Sequence, residues 1–126
     1  MPLLRGLLFN LGYALGIIAF SVSSWIAAPI LTKRQRFHVL RVFTQYLEWW
    51  LRVSCGIRYQ VSGAENILPT PCVIVANHQS TWETFFIPQH FSPLSPVLKK
   101  ELLYIPFYGR SVLKLEPIVI DRSKVS

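Results

Sequence analysis

A histidine and a glutamate stand five residues apart where an apolar run gives out. Val73-Ile74-Val75-Ala76 leads into Asn77-His78, and Gln79-Ser80-Thr81-Trp82 leads on to Glu83. An imidazole backed by a carboxylate can take a proton from a hydroxyl, the acid orienting the ring and balancing the charge it gains. The same residues have a purely structural reading. Ser80-Thr81-Trp82-Glu83 fits the S-x-x-E pattern of a capping box, in which Glu83 only starts a helix by reaching back to the Ser80 N–H. Spacing alone leaves both readings open. The other two histidines invite no chemistry: His90, between Pro88 and Pro93, reads as a surface-loop residue, and His38 as a solvated residue on a polar helix face.

Metal and phosphate-loop chemistry find no support in the sequence. It contains no CxxC, no HExxH, no Cys/His cluster and no Gly-rich loop of the Walker or dinucleotide type, so neither a metal nor a nucleotide cofactor is expected. Cys55 and Cys72 fall in a helical and an apolar strand pattern and read as reduced, small core residues. Across 126 residues, 52% are apolar, mean hydropathy is +0.37, and only 15% are charged, against roughly 25% in soluble domains. The net charge of +7 suits nucleic acid or an anionic lipid surface. Hydropathy decides for lipid and against a nucleic-acid partner.

The elements that must position these residues follow from periodicity. No charge occurs from Gly6 to Thr32, and the 22 residues Leu7 to Ala28 make a helix of about 33 Å, enough for a hydrocarbon core of about 30 Å. Residues 1–32 are therefore expected to anchor the chain as a spanning helix or one embedded in a single leaflet. Lys33, Arg34, Arg36 and Arg41 crowd its far side, and the positive-inside rule places the remainder on the cytoplasmic side of the membrane. Residues 33–55 are expected to form a second unit, an amphipathic helix lying at the bilayer interface, with an ordinary core helix as the alternative. A helix from Arg36 to Ser54 gathers His38, Arg41, Gln45, Glu48 and Arg52 on one narrow face, with Phe37, Leu40, Phe43, Leu47, Trp50 and Leu51 on the broad remainder. Glu48 and Arg52 stand at the spacing of an i, i+4 ion pair. From residue 56 the pattern changes: Ile57–Val61 and Cys72–Ala76 read as strands, Thr81–Ile87 as a helix closed by Pro88, Ser95–Lys100 as a strand, Glu101–Leu115 as a helix interrupted at Pro106, and Pro117–Asp121 as a buried strand. Alternation of this kind implies an α/β layer with crossovers over residues 56–126.

Asn77-His78-Gln79-Ser80-Thr81-Trp82-Glu83, then Lys99-Lys100-Glu101-Leu102-Leu103-Tyr104-Ile105-Pro106-Phe107-Tyr108-Gly109-Arg110, then Ile118-Val119-Ile120-Asp121-Arg122 succeed one another in the order and approximate spacing of the glycerolipid acyltransferase family, which the chain closely resembles. The resemblance implies the N-terminal part of that family's α/β domain behind a membrane helix. It implies transfer of a fatty acyl group from acyl-CoA or acyl-carrier protein to the free hydroxyl of 1-acyl-glycerol-3-phosphate, giving phosphatidic acid, with the thioester a substrate and no resident cofactor. It makes His78 the base, Glu83 its orienting acid, Arg122 the candidate for the acceptor's phosphate, and Lys99 and Lys100 supporting cations. Three departures stand out. Glu83 replaces the family's usual Asp, Glu116 and Val119 stand where the Gly-x-x-Phe-Ile-Asp-Arg block has Gly and Phe so that only Ile-Asp-Arg is intact, and no Pro-Glu-Gly-Thr-Arg block occurs up to Ser126. The expected alternatives are a non-catalytic, membrane-anchored N-terminal fragment, or the same chemistry on another lyso-lipid.

Overall fold

The structure, a computed structural model, describes residues 2–124. Two long helices, α1 (Pro2–Ala27) and α2 (Lys33–Cys55), form an antiparallel hairpin. The turn between them ends in a capping box: Thr32 accepts from the Gln35 N–H, and the Gln35 side chain accepts from the Thr32 N–H at 2.8 Å. Gly56, at φ 73, closes α2 in the left-handed conformation and donates to Arg52 O. Gly12 and Gly16 set the helix spacing. A Cβ on Gly12 would lie 2.1 Å from Trp50 Nε1, and one on Gly16 would lie 2.6 Å from the Tyr46 ring. Through these gaps Tyr46 Oη donates to Gly12 O (3.0 Å) and Trp50 Nε1 to Phe9 O (3.2 Å), while Phe20 stacks on Phe43. Close approach at small residues, with polar groups bonding across it, is how helices pair in lipid, where no hydrophobic effect drives them together.

The amphipathic reading of α2 holds: His38, Arg41, Gln45 and Arg52 are exposed, and Phe37 and Leu47 are buried. On the outer side of α1, Leu7, Leu11, Leu15, Ile18 and Trp25 are exposed. By length and composition α1 can cross a membrane. Residues beyond the hairpin also cover its inner side. Tyr13 meets Phe85 with ring centroids 6.0 Å apart, and the Ser111 hydroxyl donates to Ser21 O at 3.1 Å.

Beyond the hairpin lie α3 (Glu83–His90), β1 (Val97–Lys99), a 3-10 turn (Lys100–Tyr104), α4 (Tyr108–Leu113) and β2 (Ile118–Ile120). β1 and β2 pair in parallel with Val97 opposite Ile118 and Lys99 opposite Ile120, joined by the expected helical crossover. The described chain is mostly helical with a small parallel sheet, and two expected strands are absent. Ile57–Val61 and Cys72–Ala76 are irregular, with Val73 and Val75 more than nine-tenths exposed. An apolar run becomes a strand only when a neighbour satisfies its N–H and C=O groups, and none does so here among the described residues. Cys72 is accordingly exposed rather than core. Pro88 does not close α3 but lies buried inside it: it removes one donor, and the Phe91 N–H to Ile87 O bond (2.9 Å) carries the helix past it. His90 thus sits in the last turn of a helix, stacked on Phe86, rather than in a loop.

Two polar contacts clamp the hairpin turn onto the end of α4. Arg36 donates to Lys114 O (3.1 Å), and Lys33 Nζ lies 2.5 Å from Glu116 Oε2. Glu116 has φ 55, left-handed backbone that favours glycine. A glutamate is therefore strained at this position, beside its contact with Lys33.

Candidate active site

Glu83 opens α3, and its carboxylate turns back over the preceding loop. Oε1 accepts from Gln79 N (3.0 Å) and Ser80 N (3.2 Å), and Oε2 accepts from Ser80 N (3.1 Å) and the Ser80 hydroxyl (3.2 Å). The reach-back half of a capping box is therefore present, with the Ser80 hydroxyl accepting from Trp82 N. Oε2 also lies 3.5 Å from His78 Nδ1. One carboxylate thus folds the loop, as the capping reading expects, and also lies beside the imidazole that the loop carries. The Gln79 N–H, with further bonds from backbone and from Ser80, holds the Glu83 carboxyl down to about 2. An anion gathered by several N–H donors is hard to protonate, so Glu83 is an acceptor at any working pH. Accepting from His78 Nδ1–H would leave Nε2 as the free base, on a ring that is 71% exposed and open to a substrate.

The cationic candidates gather elsewhere. Lys99 ends β1 and Arg122 comes after β2, so with Lys100 they occupy the carboxyl ends of two parallel strands, where open α/β sheets commonly bind ligands. Asp121 does not pair with Arg122. It lies 3.3 Å from Lys100 Nζ and accepts from the Ser123 hydroxyl and N–H. The Ser123 hydroxyl first, then its N–H and Lys100, pull the Asp121 carboxyl below its usual range, and the bond to Asp121 raises Lys100. Lys100 is thus committed to Asp121, while Arg122 is exposed and makes no hydrogen bond or ion pair among the described residues. No hydrogen bond or ion pair among those residues joins this cluster to the His78–Glu83 pair.

The i, i+4 pair expected between Glu48 and Arg52 is also replaced. Glu48 Oε2 instead accepts from Tyr59 Oη at 2.6 Å. The tyrosine outcompetes an arginine that can extend into solvent, since an exposed helix pair contributes little. Tyr59 carried no signal of its own, reading only as one residue of a strand.

The described residues thus combine a carboxylate 3.5 Å from an exposed imidazole, cations at the carboxyl ends of two parallel strands and an apolar helical hairpin packed on α3 and α4. A model of the acyltransferase family matches residues 58–126, more than half of the chain, and the chain belongs to that family. It is 48% identical over 122 residues to a 1-acyl-sn-glycerol-3-phosphate acyltransferase of Pseudomonas aeruginosa, covering 96% of this chain and 48% of the relative. It is 34% identical over 90 residues to a 1-acyl-sn-glycerol-3-phosphate acyltransferase of Saccharomyces cerevisiae, covering 64% of this chain and 30% of that relative. The chain thus spans about half the length of the bacterial relative and less of the yeast one. No solved structure matches it.

Proposed function

We propose that this protein acts in acyl transfer from an acyl thioester to the free hydroxyl of 1-acyl-glycerol-3-phosphate, yielding phosphatidic acid in phospholipid synthesis. The observation that carries the reading is the 48% identity to the Pseudomonas enzyme across nearly the whole chain, and the geometry around His78 is consistent with it. His78 Nε2 takes the hydroxyl proton as the oxygen attacks the thioester carbonyl. The C–S bond then breaks, and the departing sulfur receives the proton back from the imidazolium, which Glu83 stabilises meanwhile. Arg122 suits the acceptor's phosphate, since its guanidinium can bond two phosphate oxygens at once, and Lys99 adds charge nearby. Coenzyme A and acyl-carrier protein remain the two donors to be compared.

The hairpin would bring this chemistry to the membrane. A helix crossing the bilayer must leave its soluble partners on one side, yet α1 contacts α3 at Tyr13 and α4 at Ser21. Carrying those partners into hydrocarbon would bury Arg110, Lys114 and Glu116 at high cost. We therefore read α1 as lying along one leaflet with Leu7, Leu11, Leu15 and Ile18 in lipid, at the cytoplasmic face of a bacterial inner membrane. A second reading, a membrane-bound chain without turnover, is favoured by the unpaired Val73–Ala76 segment, which leaves the loop bearing His78 without a strand to stiffen it. Incubating the purified protein with labelled acyl-CoA or acyl-carrier protein and a panel of lyso-lipids tests both. Labelled phosphatidate, formed in preference to products of neutral or zwitterionic acceptors, supports the proposal. Absence of product from every acceptor supports the second reading.

A further inference from the structure

Among the described residues, Glu48 of helix α2 reaches toward the candidate site through Tyr59, whose ring packs on Trp82 and Phe86. Glu48 Oε2 binds the Tyr59 hydroxyl, while its Oε1 is buried with no hydrogen-bond partner. A carboxylate with one buried, unpartnered oxygen costs stability, so the hairpin alone gives no reason for a glutamate at this half-buried place. The group that Glu48 holds does give a reason. The Tyr59 ring meets Trp82 edge-on with centroids 5.0 Å apart and Phe86 at 5.9 Å, and Trp82 and Phe86 stack at 4.7 Å. Trp82 directly precedes Glu83, and Phe86 lies one turn further along α3. Tyr59 belongs to an irregular segment in which Ile57, Tyr59 and Val61 are all exposed, so its contacts with Glu48, Trp82 and Phe86 are its anchorage.

We propose that Glu48 and Tyr59 are positioning residues for the His78–Glu83 pair. Their hydrogen bond fixes the tyrosine ring, and the ring fixes Trp82 and Phe86. The first turn of α3 is thereby held where the Glu83 carboxylate can gather the Gln79 and Ser80 amides and face His78. Partial burial, reinforced by the bond to Glu48 and its charge, pushes the Tyr59 hydroxyl up to about 12, so it remains a donor at working pH. The catalytic part of this inference rests on the acyl-transfer reading, but the positioning part does not.

Amide hydrogen exchange at Gln79 and Ser80, measured on the whole protein in detergent micelles, reads the loop geometry without any assay of activity. Tyr59→Phe keeps the ring and removes the hydroxyl, and Glu48→Ala removes the acceptor. Each should speed exchange at those two amides roughly 3–10-fold, the worth of one net hydrogen bond, and leave amides within α1 and α2 unchanged. The double variant should be no worse than either single one, because both remove the same link. Glu48→Gln keeps an acceptor oxygen and should stay within about twofold of the parent. Acyl transfer should show a comparable fall in kcat with both KM values unmoved. Unchanged exchange at Gln79 and Ser80 in Tyr59→Phe, a uniform rise along the whole chain, or additive effects in the double variant would each overturn the proposal. A parent protein with no acyl transfer would refute the functional reading, while the exchange data would still decide the positioning.

Discussion

Replacing Glu83 by glutamine separates the capping of α3, which its carboxylate performs, from the orientation of His78 proposed for it. Glutamine keeps one acceptor oxygen, which can stay on the Gln79 and Ser80 amides at 3.0 and 3.2 Å, so the loop and the start of α3 should survive. Its NH2 group then takes the place of Oε2, 3.5 Å from His78 Nδ1. An amide nitrogen can only donate to that ring atom. The imidazole proton is thereby driven to Nε2, the atom that the proposed mechanism requires unprotonated to accept from the substrate hydroxyl. The imidazolium also loses its counter-charge. General-base catalysis by a positioned histidine is worth about 10²–10⁴-fold, and the wrong tautomer should forfeit most of it. Steady-state acyl transfer to 1-acyl-glycerol-3-phosphate is the assay, alongside circular dichroism to verify the fold. Glu83→Asp, which restores the family's usual acid with one methylene less, should keep activity within about tenfold. A glutamine variant with native dichroism and kcat within about threefold of the parent would refute the tautomer argument and reduce Glu83 to a cap.

Gly12→Ala gains about 1 kcal/mol of helix propensity but places a Cβ 2.1 Å from Trp50 Nε1, so overpacking of about 1–3 kcal/mol and the weakened Trp50–Phe9 bond should lower Tm in mild detergent. Gly6→Ala meets no atom within 4 Å and should leave Tm level or higher; equal shifts for the two variants would contradict the packing. The folded carboxyl of Glu83 sits below its ordinary value of 4.5, so its contribution to the loop is complete above about 4.5 and is lost as pH falls through about 2. The Gln79 and Ser80 amide resonances should titrate near pH 2, and a midpoint near 4.5 would show that the bonds to Glu83 do not form. Arg122→Ala should raise the acceptor's KM roughly 10–100-fold with the donor's KM unmoved, as loss of a charge-assisted contact predicts, and Arg122→Lys should recover only part. Parallel changes in both constants would assign Arg122 to the fold.

The parts legible in the sequence were those governed by local rules. Both hairpin helices follow from periodicity and an uncharged apolar run, β1 and β2 from short apolar segments that each follow a proline, and the approach of Glu83 to His78 from a five-residue spacing. The burial expected of β2 does not follow, since Ile118 and Val119 are exposed where, among the described residues, only β1 lies beside them. The features that escaped depend on partners far away in sequence. Cys72–Ala76 has the composition of a buried strand, but composition supplies no neighbouring strand. Glu48 offers the same i, i+4 geometry to Arg52 in any amphipathic helix, and nothing local indicates that Tyr59, eleven residues on, takes it instead. Asp121 stands next to Arg122 in the chain, yet the parallel register brings Lys100 alongside it. Gly12-x-x-x-Gly16 did carry a usable signal for close helix contact, since nothing but a missing side chain lets Trp50 and Tyr46 reach the α1 backbone.

The central claim is that His78 is the proton acceptor of a membrane-bound acyltransferase. The most direct measurement is turnover of 1-acyl-glycerol-3-phosphate and acyl thioester by the parent and by His78→Ala, both reconstituted in vesicles of the same composition. The parent should form phosphatidate, and the variant should bind vesicles equally well, retain native dichroism, and turn over at least about 100-fold more slowly. A variant with near-parental turnover, or a parent that forms no phosphatidate under any condition that supports its membrane binding, would contradict the claim.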